Sequence, residues 1–438
     1  MQGKREKSGA GNDLTKRVIY LLVILAVYRV GVHIPTPGVD NVALQELFAR
    51  FEGTLLGLFD MFSGRALSQF SIFALGIMPY ISASIIIELL TVVWPHLSRL
   101  KKEGGQEGRR KLTQYSRYLT VALSLFQGFA LGLYLERGTM GSSSVVLQPG
   151  MSFRLMTMLT LSAGTSFIMW LGEQITERGI GNGISIIIFA GIVEGLPSAV
   201  IGVFSDLSSN EQSVLRMAFM GAGLLLVTAG VVYCERAQRR IPVQYAQRMV
   251  GQKLMGGRST HLPLKLNPAG VIPPIFASSL IMFPATLGQF VELPFLDMLT
   301  MRNSWLYNVV YVALIVFFCY FYTGVQFNPE DVAENMKKNG GFVPGIRPGK
   351  STADYLDKVL TRLTLWGAAY VSIICLLPNL IMDYFNVSFY FGGTSLLIVV
   401  GVALDTLGQL RSYVLNQQYD GILKKGLTGM GRIQPRRR

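Results

Sequence analysis

Charged residues are scarce in this chain. Asp, Glu, Lys and Arg make up 15% of its 438 residues, whereas 50% are hydrophobic, and soluble domains carry roughly 25% charged residues. The mean hydropathy of +0.40 points in the same direction. A net charge of +14 can coexist with this composition only if the charges are segregated from the apolar stretches. Composition therefore excludes an ordinary soluble protein and predicts a membrane protein.

Cysteine and histidine are also scarce, with three of each. Cys234, Cys319 and Cys375 lie near or inside apolar runs, where thiols are usually buried and inert, and their spacing fits neither a disulfide framework nor a metal site. The sequence has no histidine pair at metal-ligand spacing, and no nucleophile elbow or phosphate-binding glycine loop in a credible context. We therefore predict no catalytic residue, no metal and no cofactor, so that the chain is not an enzyme.

Long apolar runs, by contrast, are abundant. Crossing a bilayer takes roughly 20 apolar residues of helix, and uncharged runs near that length occupy 69–87, 118–135, 155–172, 217–234, 266–291, 303–329, 363–382 and 384–404. Two further spans are interrupted by charge: 18–34 contains Arg29, and 184–201 contains Glu194. The first is interpreted as a retained span, because no small-residue cleavage site follows it. Ten spans result.

The segments between successive spans are alternately rich and poor in Lys and Arg. The basic segments are the N-terminus 1–17, residues 99–111, the long loops 235–267 and 328–358, and the tail 416–438. The intervening connections hold few Lys or Arg, and only the turn 173–182 on the basic face is nearly neutral. The positive-inside rule therefore places both termini and the two long loops in the cytoplasm.

An internal repeat divides the chain. Residues 76–87, GIMPYISASIII, align without gaps on residues 270–281, GVIPPIFASSLI, with six identities in twelve positions. These are the second and seventh spans, so each half holds five. Because five is odd, the halves must have opposite orientations. We predict an all-α membrane fold of ten transmembrane helices in two inverted halves, 18–202 and 203–415; the alternative is a chance match of small residues and isoleucine.

Carboxylates are rare within the spans. Glu88, Glu194 and Asp405 all lie toward span ends, whereas ion-coupled carriers usually hold charged groups at mid-membrane. A solute carrier is therefore the weaker hypothesis, and an intramembrane enzyme lacks paired catalytic groups. The three carboxylates either meet basic groups near the interface or, for Glu88 and Asp405, line a water-filled vestibule.

Two other features leave alternatives open. The loops 235–267 and 328–358 are long and basic, so they either dock polyanions such as ribosomal RNA, acidic protein faces or anionic headgroups, or only set topology. The apolar stretch 54–65 is too short to span. It lies at the outer interface or folds back into the bundle, which is permitted only where protein or water covers its backbone.

Five motifs resemble the SecY family of bacterial protein-translocation channels. They are ALGIMPYISAS at 74–84, WLGEQITERGIGNGIS at 170–185, STHLPLK at 259–265, FVPGIRPG at 342–349 and YFGGTSLLIV at 390–399. The resemblance implies a clamshell of two inverted halves that passively conducts unfolded preproteins across the bacterial inner membrane and releases transmembrane helices sideways into the lipid bilayer. ATP or GTP hydrolysis would be supplied by partners.

The resemblance also implies roles for individual residues. A pore ring would consist of Ile77, Ile81, Ile184, Ile188, Ile275 and Ile398. Two pairs, 77/81 and 184/188, have the spacing of one helix face. A plug at 55–65 would seat against this ring through Leu58, Phe59, Met61, Phe62, Ser63 and Gly64. A lateral gate, where signal peptides bind, would involve Ser82, Ser84, Asn182, Ser278 and Ser279; a simple turn role for Asn182 is the alternative.

Partners follow from the same resemblance. SecE and SecG would be companion subunits, and the two long loops would contact the SecA motor or the ribosome alternately. The residues implied in these contacts are Arg239, Arg240, Arg248, Lys253, Arg258 and Arg347. One position departs from the family pattern: Glu88 stands where an uncharged polar residue such as Gln is expected.

Overall fold

In a computed structural model of the protein, the described residues are 9–40, 43–44, 55–137, 145–207, 211–245, 248–250, 253–255, 259–288, 304–385 and 392–430. Helices dominate this part of the chain. They are α1 (Gly9–Val32), α2 (Leu55–Phe62), α3 (Met78–Val93), α4 (Pro95–Glu103), α5 (Gly105–Arg137), α6 (Met151–Arg178), α7 (Gly183–Leu207), α8 (Glu211–Arg236), α9 (Ile272–Gly288), α10 (Trp305–Gln326), α11 (Pro329–Lys338), α12 (Lys350–Phe385) and α13 (Gly393–Met430).

A helix lies at each of the ten predicted spans, in chain order: α1, α3, α5 to α10, α12 and α13. Within the described residues, five of these helices are by themselves long and apolar enough to cross a membrane: α5, α6, α10, α12 and α13. The pair α3 and α4 reaches that length only together, and it bends by 97° at the break between them. The helical membrane fold expected from the sequence is confirmed.

The second spanning helix begins later than predicted. The apolar run starts at residue 69, but α3 starts at Met78, and residues 63–77 form a series of turns. Phe70 and Gly76 have φ angles of 44° and 56°, and such left-handed residues end a helical ladder. The run is apolar because this irregular segment is buried, and hydropathy alone does not separate buried turns from helix.

The repeat seen in the sequence has a structural counterpart. Gly76 and Gly270 have φ angles of 56° and 63°, and each glycine closes a turn by donating its N–H to the carbonyl three residues earlier. The helices α3 and α9 begin two residues after their glycine. Packing repeats as well: α3–α5, α5–α6 and α6–α7 correspond to α9–α10, α10–α12 and α12–α13. The two halves touch where α3 meets α9, where α7 meets α13 and where α7 meets α8.

Glycines fix the irregular segment between α2 and α3. The Phe73 ring occupies the space where a side chain of Gly31 on α1 would lie, and the Ile72 carbonyl does the same at Gly164 on α6. Ile72 also donates its N–H to the Ile34 carbonyl at 3.0 Å. The segment is therefore held between α1 and α6 by contacts that only glycine permits.

The two long loops fold together. Strands β1 (Gln238–Tyr245), β4 (Ser259–Lys265) and β5 (Gly341–Phe342) form an antiparallel sheet in the order β4-β1-β5, and β2 (Arg248–Val250) pairs with β3 (Lys253–Met255). We call β1, β4, β5, α11 and the first turns of α12 the loop platform. Its core draws on both loops and comprises Ile241, Val243, Leu264, Met336, Val343 and Leu356. The sequence predicted two separate loops, but the structure has one body.

Replacing Gly164 by Ala should destabilise the fold. The added methyl group would overlap the Ile72 carbonyl, which is backbone and cannot rotate away, and overpacking of this kind costs roughly 1–3 kcal/mol. The measurement is the thermal unfolding temperature of the purified protein. Gly230→Ala on α8 is the matched control, because nothing lies within 4 Å of its added methyl group. An unfolding temperature for Gly164→Ala equal to that of the control would contradict the close approach.

Candidate functional site

The six isoleucines of the predicted pore ring all lie at helix starts. Ile77 immediately precedes α3, and Ile81 is in its first turn; Ile275 is in the first turn of α9. Ile184 and Ile188 occupy the first two turns of α7, and Ile398 the second turn of α13. All lie in or against the main apolar core of the bundle, which extends well beyond these helix starts; Ile184 is half-buried and the others are buried. Since α3 packs on α9 and α7 on α13, both halves contribute to this core.

The predicted plug contains α2 and the turn after it. Met61, Phe62, Ser63 and Gly64 are buried, and α2 packs on α7. From α13, the Ser395 hydroxyl donates to the Met61 sulfur at 3.4 Å. The side chains of Leu58 and Phe59 lie outside the described residues. Burial on this scale meets the condition for a re-entrant element and does not fit a helix lying free at the interface.

Asp60 organises the turn that ends the plug, a role the sequence analysis missed. Its carboxylate accepts a hydrogen bond from the Ser68 N–H at 2.8 Å, and its carbonyl accepts from the Ser63 hydroxyl at 2.9 Å and from the Arg65 N–H at 2.8 Å. Gly64 and Arg65 have φ angles of 68° and 61°. The signal was available, because Asp60 is the one carboxylate in the apolar stretch 54–65.

The contact between α3 and α9, here called the seam, joins the two helices that carry four of the five predicted gate residues. The Ser279 hydroxyl on α9 approaches the Met78 sulfur on α3 at 3.8 Å. Ser278 and Ser279 both donate to the Ile275 carbonyl on their own helix, at 2.9 and 2.8 Å. Ser82 and Ser84 are half-buried on α3. Small side chains thus allow the two helices to approach closely.

Asn182 lies elsewhere, in the turn between α6 and α7. Its side-chain oxygen accepts from the Ile184 N–H at 3.1 Å, and its carbonyl accepts from the Ile186 N–H at 3.0 Å. These are the bonds of a helix cap. The bonds agree with a turn role for Asn182, and its gate role stays a prediction.

Each of the three span carboxylates has a basic partner. Glu88 pairs with Lys101 at 3.7 Å, Asp405 pairs with Lys265 at 3.3 Å, and Glu194 pairs with Arg29. The pairing supports the first of the two interpretations given above. Among the described residues, no group of three or more His, Cys, Asp or Glu side chains is placed to hold a metal ion.

The loop platform carries three of the six basic residues predicted to contact partners. Arg239 and Arg240 are exposed on β1, and Arg347 is exposed in the turn between β5 and α12. Gly345 and Gly349, with φ angles of 81° and 105°, shape that turn, and the Thr352 hydroxyl donates to the Arg347 carbonyl at 2.9 Å. Arg258 and the side chains of Arg248 and Lys253 lie outside the described residues.

A polar junction joins the loop platform to α9. The Asn267 amide donates to the Glu235 carboxylate and to the Gly270 carbonyl, both at 2.9 Å, and the Leu266 N–H donates to the Ala237 carbonyl at 2.9 Å. Burial raises the pKa of the Glu235 carboxyl, and the hydrogen bond from Asn267 opposes this. Since Asn267 is buried, the base of the platform and the start of α9 are tied together.

Comparison with known sequences places this arrangement in a family. The family model described as SecY matches residues 71–407. The chain belongs to the SecY family. The protein translocase subunit SecY of Escherichia coli K12 is 50% identical over 436 residues, covering 97% of each chain. The SecY subunit of Vibrio cholerae is also 50% identical, over 98% of this chain and 99% of its own, and that of Rickettsia conorii is 48% identical.

Solved structures share the fold of this SecY-family chain. A structure described as a protein conducting channel has a TM-score of 0.67 at 17% identity, covering 92% of this chain and 93% of its own. Canine Sec61 in a ribosome-channel complex has a TM-score of 0.63 at 16% identity, with the same coverage. At these identities the likeness concerns the fold, and it agrees with the clamshell of two inverted halves.

A disulfide should form across the seam in the double variant Met78→Cys/Ser279→Cys. The Ser279 Oγ and the Met78 Sδ lie 3.8 Å apart; because a cysteine sulfur at position 78 lies one bond nearer the backbone than the methionine sulfur, the bond forms when the two helices approach slightly. Oxidation followed by non-reducing analysis of a protein cleaved between the two positions measures the bond. The single variants control for the three native cysteines, and Met78→Cys/Leu280→Cys is a second control because Leu280 is 42% exposed. Equal crosslinking of the Leu280 control would contradict the packing of α3 on α9.

Proposed function

We propose that this chain is the central pore-forming subunit of a protein-conducting channel. It passes unfolded preproteins across the bacterial plasma membrane and releases transmembrane segments sideways into the bilayer. The observation that carries the proposal is the placement of the six isoleucines at the starts of α3, α7, α9 and α13 within the main apolar core of the bundle, with the plug bonded to α13 through Met61 and Ser395. Relatives that are half identical to the chain bear the name protein translocase subunit.

The six isoleucines suit a gate for polypeptide. A collar of branched apolar side chains can exclude water and ions while empty. It also gives way around a passing chain without binding it, because it offers neither charge nor hydrogen bonds. The plug would close this collar at rest. One relative with the same fold, at a TM-score of 0.66, is described as a SecY protein whose plug domain stabilises the closed state and maintains a membrane seal.

The seam suits lateral release. Transmembrane helices pack through small residues and van der Waals contact rather than a hydrophobic driving force, so a seam of serines and alanine can part without leaving buried charges unpaired. Signal peptides would intercalate there, between α3 and α9. In this proposal the halves 18–202 and 203–415 are the moving bodies.

The loop platform suits docking of an energy source, since in this proposal partners supply the nucleotide hydrolysis. Exposed arginines on β1 and in the 345–349 turn would meet acidic protein or RNA surfaces. Canine Sec61 and yeast Ssh1, which share the fold, are described in complexes with ribosomes. We infer that SecA and the ribosome use this platform alternately, that SecE and SecG are companion subunits, and that both termini and the platform face the cytoplasm.

A translocating preprotein should crosslink to the ring. With a photoreactive side chain at Ile81 or Ile275, an arrested preprotein should give strong adducts in a reconstituted translocation reaction, because both isoleucines belong to the ring that would line the pore. Ile86 and Leu280 are matched controls on the same two helices, and both are exposed. Adducts at the two controls and none at Ile81 and Ile275 would show that the pore assignment is wrong.

Arg347→Glu should abolish the preprotein-stimulated ATPase activity of SecA while leaving membrane insertion of the chain intact. The reason is that an exposed cation on the platform becomes an anion facing an acidic partner. The measurement is ATP hydrolysis by SecA with membranes containing the variant. Lys358→Glu reverses another exposed charge on the same platform and should have a much smaller effect. Unchanged stimulation with Arg347→Glu would refute the docking role.

A further inference from the structure

Two charged residues that interrupt predicted spans meet each other. Arg29 on α1 forms an ion pair with Glu194 on α7. Both side chains are only partly exposed, at 35% and 22% of their surface. A charge within a span is costly unless it is paired or hydrogen-bonded. The ion pair thus explains how both charges are tolerated within the spans. It does not explain why the Arg29 guanidinium makes a further contact.

That further contact is with the plug. A second nitrogen of the Arg29 guanidinium donates to the Gly64 carbonyl at 3.3 Å. The preceding residue, Tyr28, donates its hydroxyl to the Ser63 carbonyl at 2.9 Å. Ser63 and Gly64 directly follow α2, where the helix ladder has ended and carbonyls need outside partners. Two consecutive residues of α1 therefore hold two consecutive carbonyls at the end of the plug.

Glu194 and its helix complete the site. The guanidinium is a rigid planar fork of donors, so a carboxylate on one nitrogen determines where the other nitrogen points. One turn before Glu194, Gly191 lies against Gly64: a methyl group on Gly64 would come within 3.1 Å of the Gly191 Cα. Gly64 also has a φ angle of 68°, which favours glycine. The plug end thus fits closely into a notch between α1 and α7.

We propose that Arg29, oriented by Glu194, acts with Tyr28 as a latch that keeps the plug seated while no substrate is present. The inference rests on the proposed function as a channel and adds named positioning residues to it. Seating and release form a two-state equilibrium. Loss of one hydrogen bond to a charged donor should shift that equilibrium by about tenfold. The latch grips backbone carbonyls, so it does not depend on the side chains of the plug.

The test is the ion conductance of the full channel complex in planar bilayers without substrate. Arg29→Met should raise the resting conductance by about tenfold, the shift expected for one lost charged hydrogen bond. Tyr28→Phe, which removes only the hydroxyl, should raise it less. Glu194→Gln should fall between the wild type and Arg29→Met, because its amide oxygen can still accept from the guanidinium but carries no charge. A purely structural role for the pair predicts no change in resting conductance.

Arg154→Met is the matched control. Arg154 on α6 pairs with Glu136 on α5 at 2.6 Å, so this change also breaks an ion pair between two helices, but it leaves the contacts of Ser63 and Gly64 in place. The latch is overturned if Arg29→Met conducts like the wild type, or if Arg154→Met leaks equally. If Arg29→Met does not assemble, Tyr28→Phe decides by the same criterion.

A parallel preprotein transport assay on the same wild-type complex separates the two proposals. Normal transport together with unchanged resting conductance in Arg29→Met and Tyr28→Phe would overturn the latch alone. Absence of transport by the wild-type complex would overturn the proposed function and the latch with it.

Discussion

Backbone N–H and C=O groups outside a helix need other hydrogen-bond partners, and residues 63–77 contain many such groups. At membrane depth, irregular backbone is tolerated only where protein or a water-filled cavity covers it. Local turns satisfy some of these groups, and the Asp60 carboxylate accepts a hydrogen bond from the Ser68 N–H. The chain after α1 supplies further partners, since the Thr36 N–H donates to the Phe70 carbonyl at 2.8 Å. The close approaches at Gly31 and Gly164 serve the same end. This segment therefore determines where the plug, the start of α3 and the α3 side of the seam lie.

The spans and the repeat could be predicted from the sequence because both depend on local properties. Apolar length determines whether a helix can cross the bilayer, and Gly76 and Gly270 each mark the turn after which α3 or α9 starts. The start of α3 could not be predicted in the same way. A buried turn and a buried helix have the same hydropathy, and only the φ angles of Phe70 and Gly76 distinguish them.

The family resemblance proposed which residues belong to the candidate site. The contacts between those residues could not be predicted from the sequence. Arg29 and Glu194 are 165 positions apart, and nothing local pairs them. The loop platform was missed for the same reason, since β1 and β5 come from different loops. A partial signal existed in β1, where Ile241 and Val243 alternate with exposed residues. Alternation of this kind predicts a half-buried strand, but it does not identify the partner strand.

The helix starts that carry the six isoleucines have an electrostatic consequence. The helices α3, α7, α9 and α13 carry these isoleucines in or next to their first two turns, and the N-terminal end of an α-helix carries roughly half a positive charge from its aligned peptide dipoles. In the proposed collar, small cations, protons included, would therefore meet a positive potential in addition to an apolar constriction, whereas a neutral stretch of polypeptide would not. A passage wide enough for a peptide chain could in this way still oppose the collapse of a proton gradient.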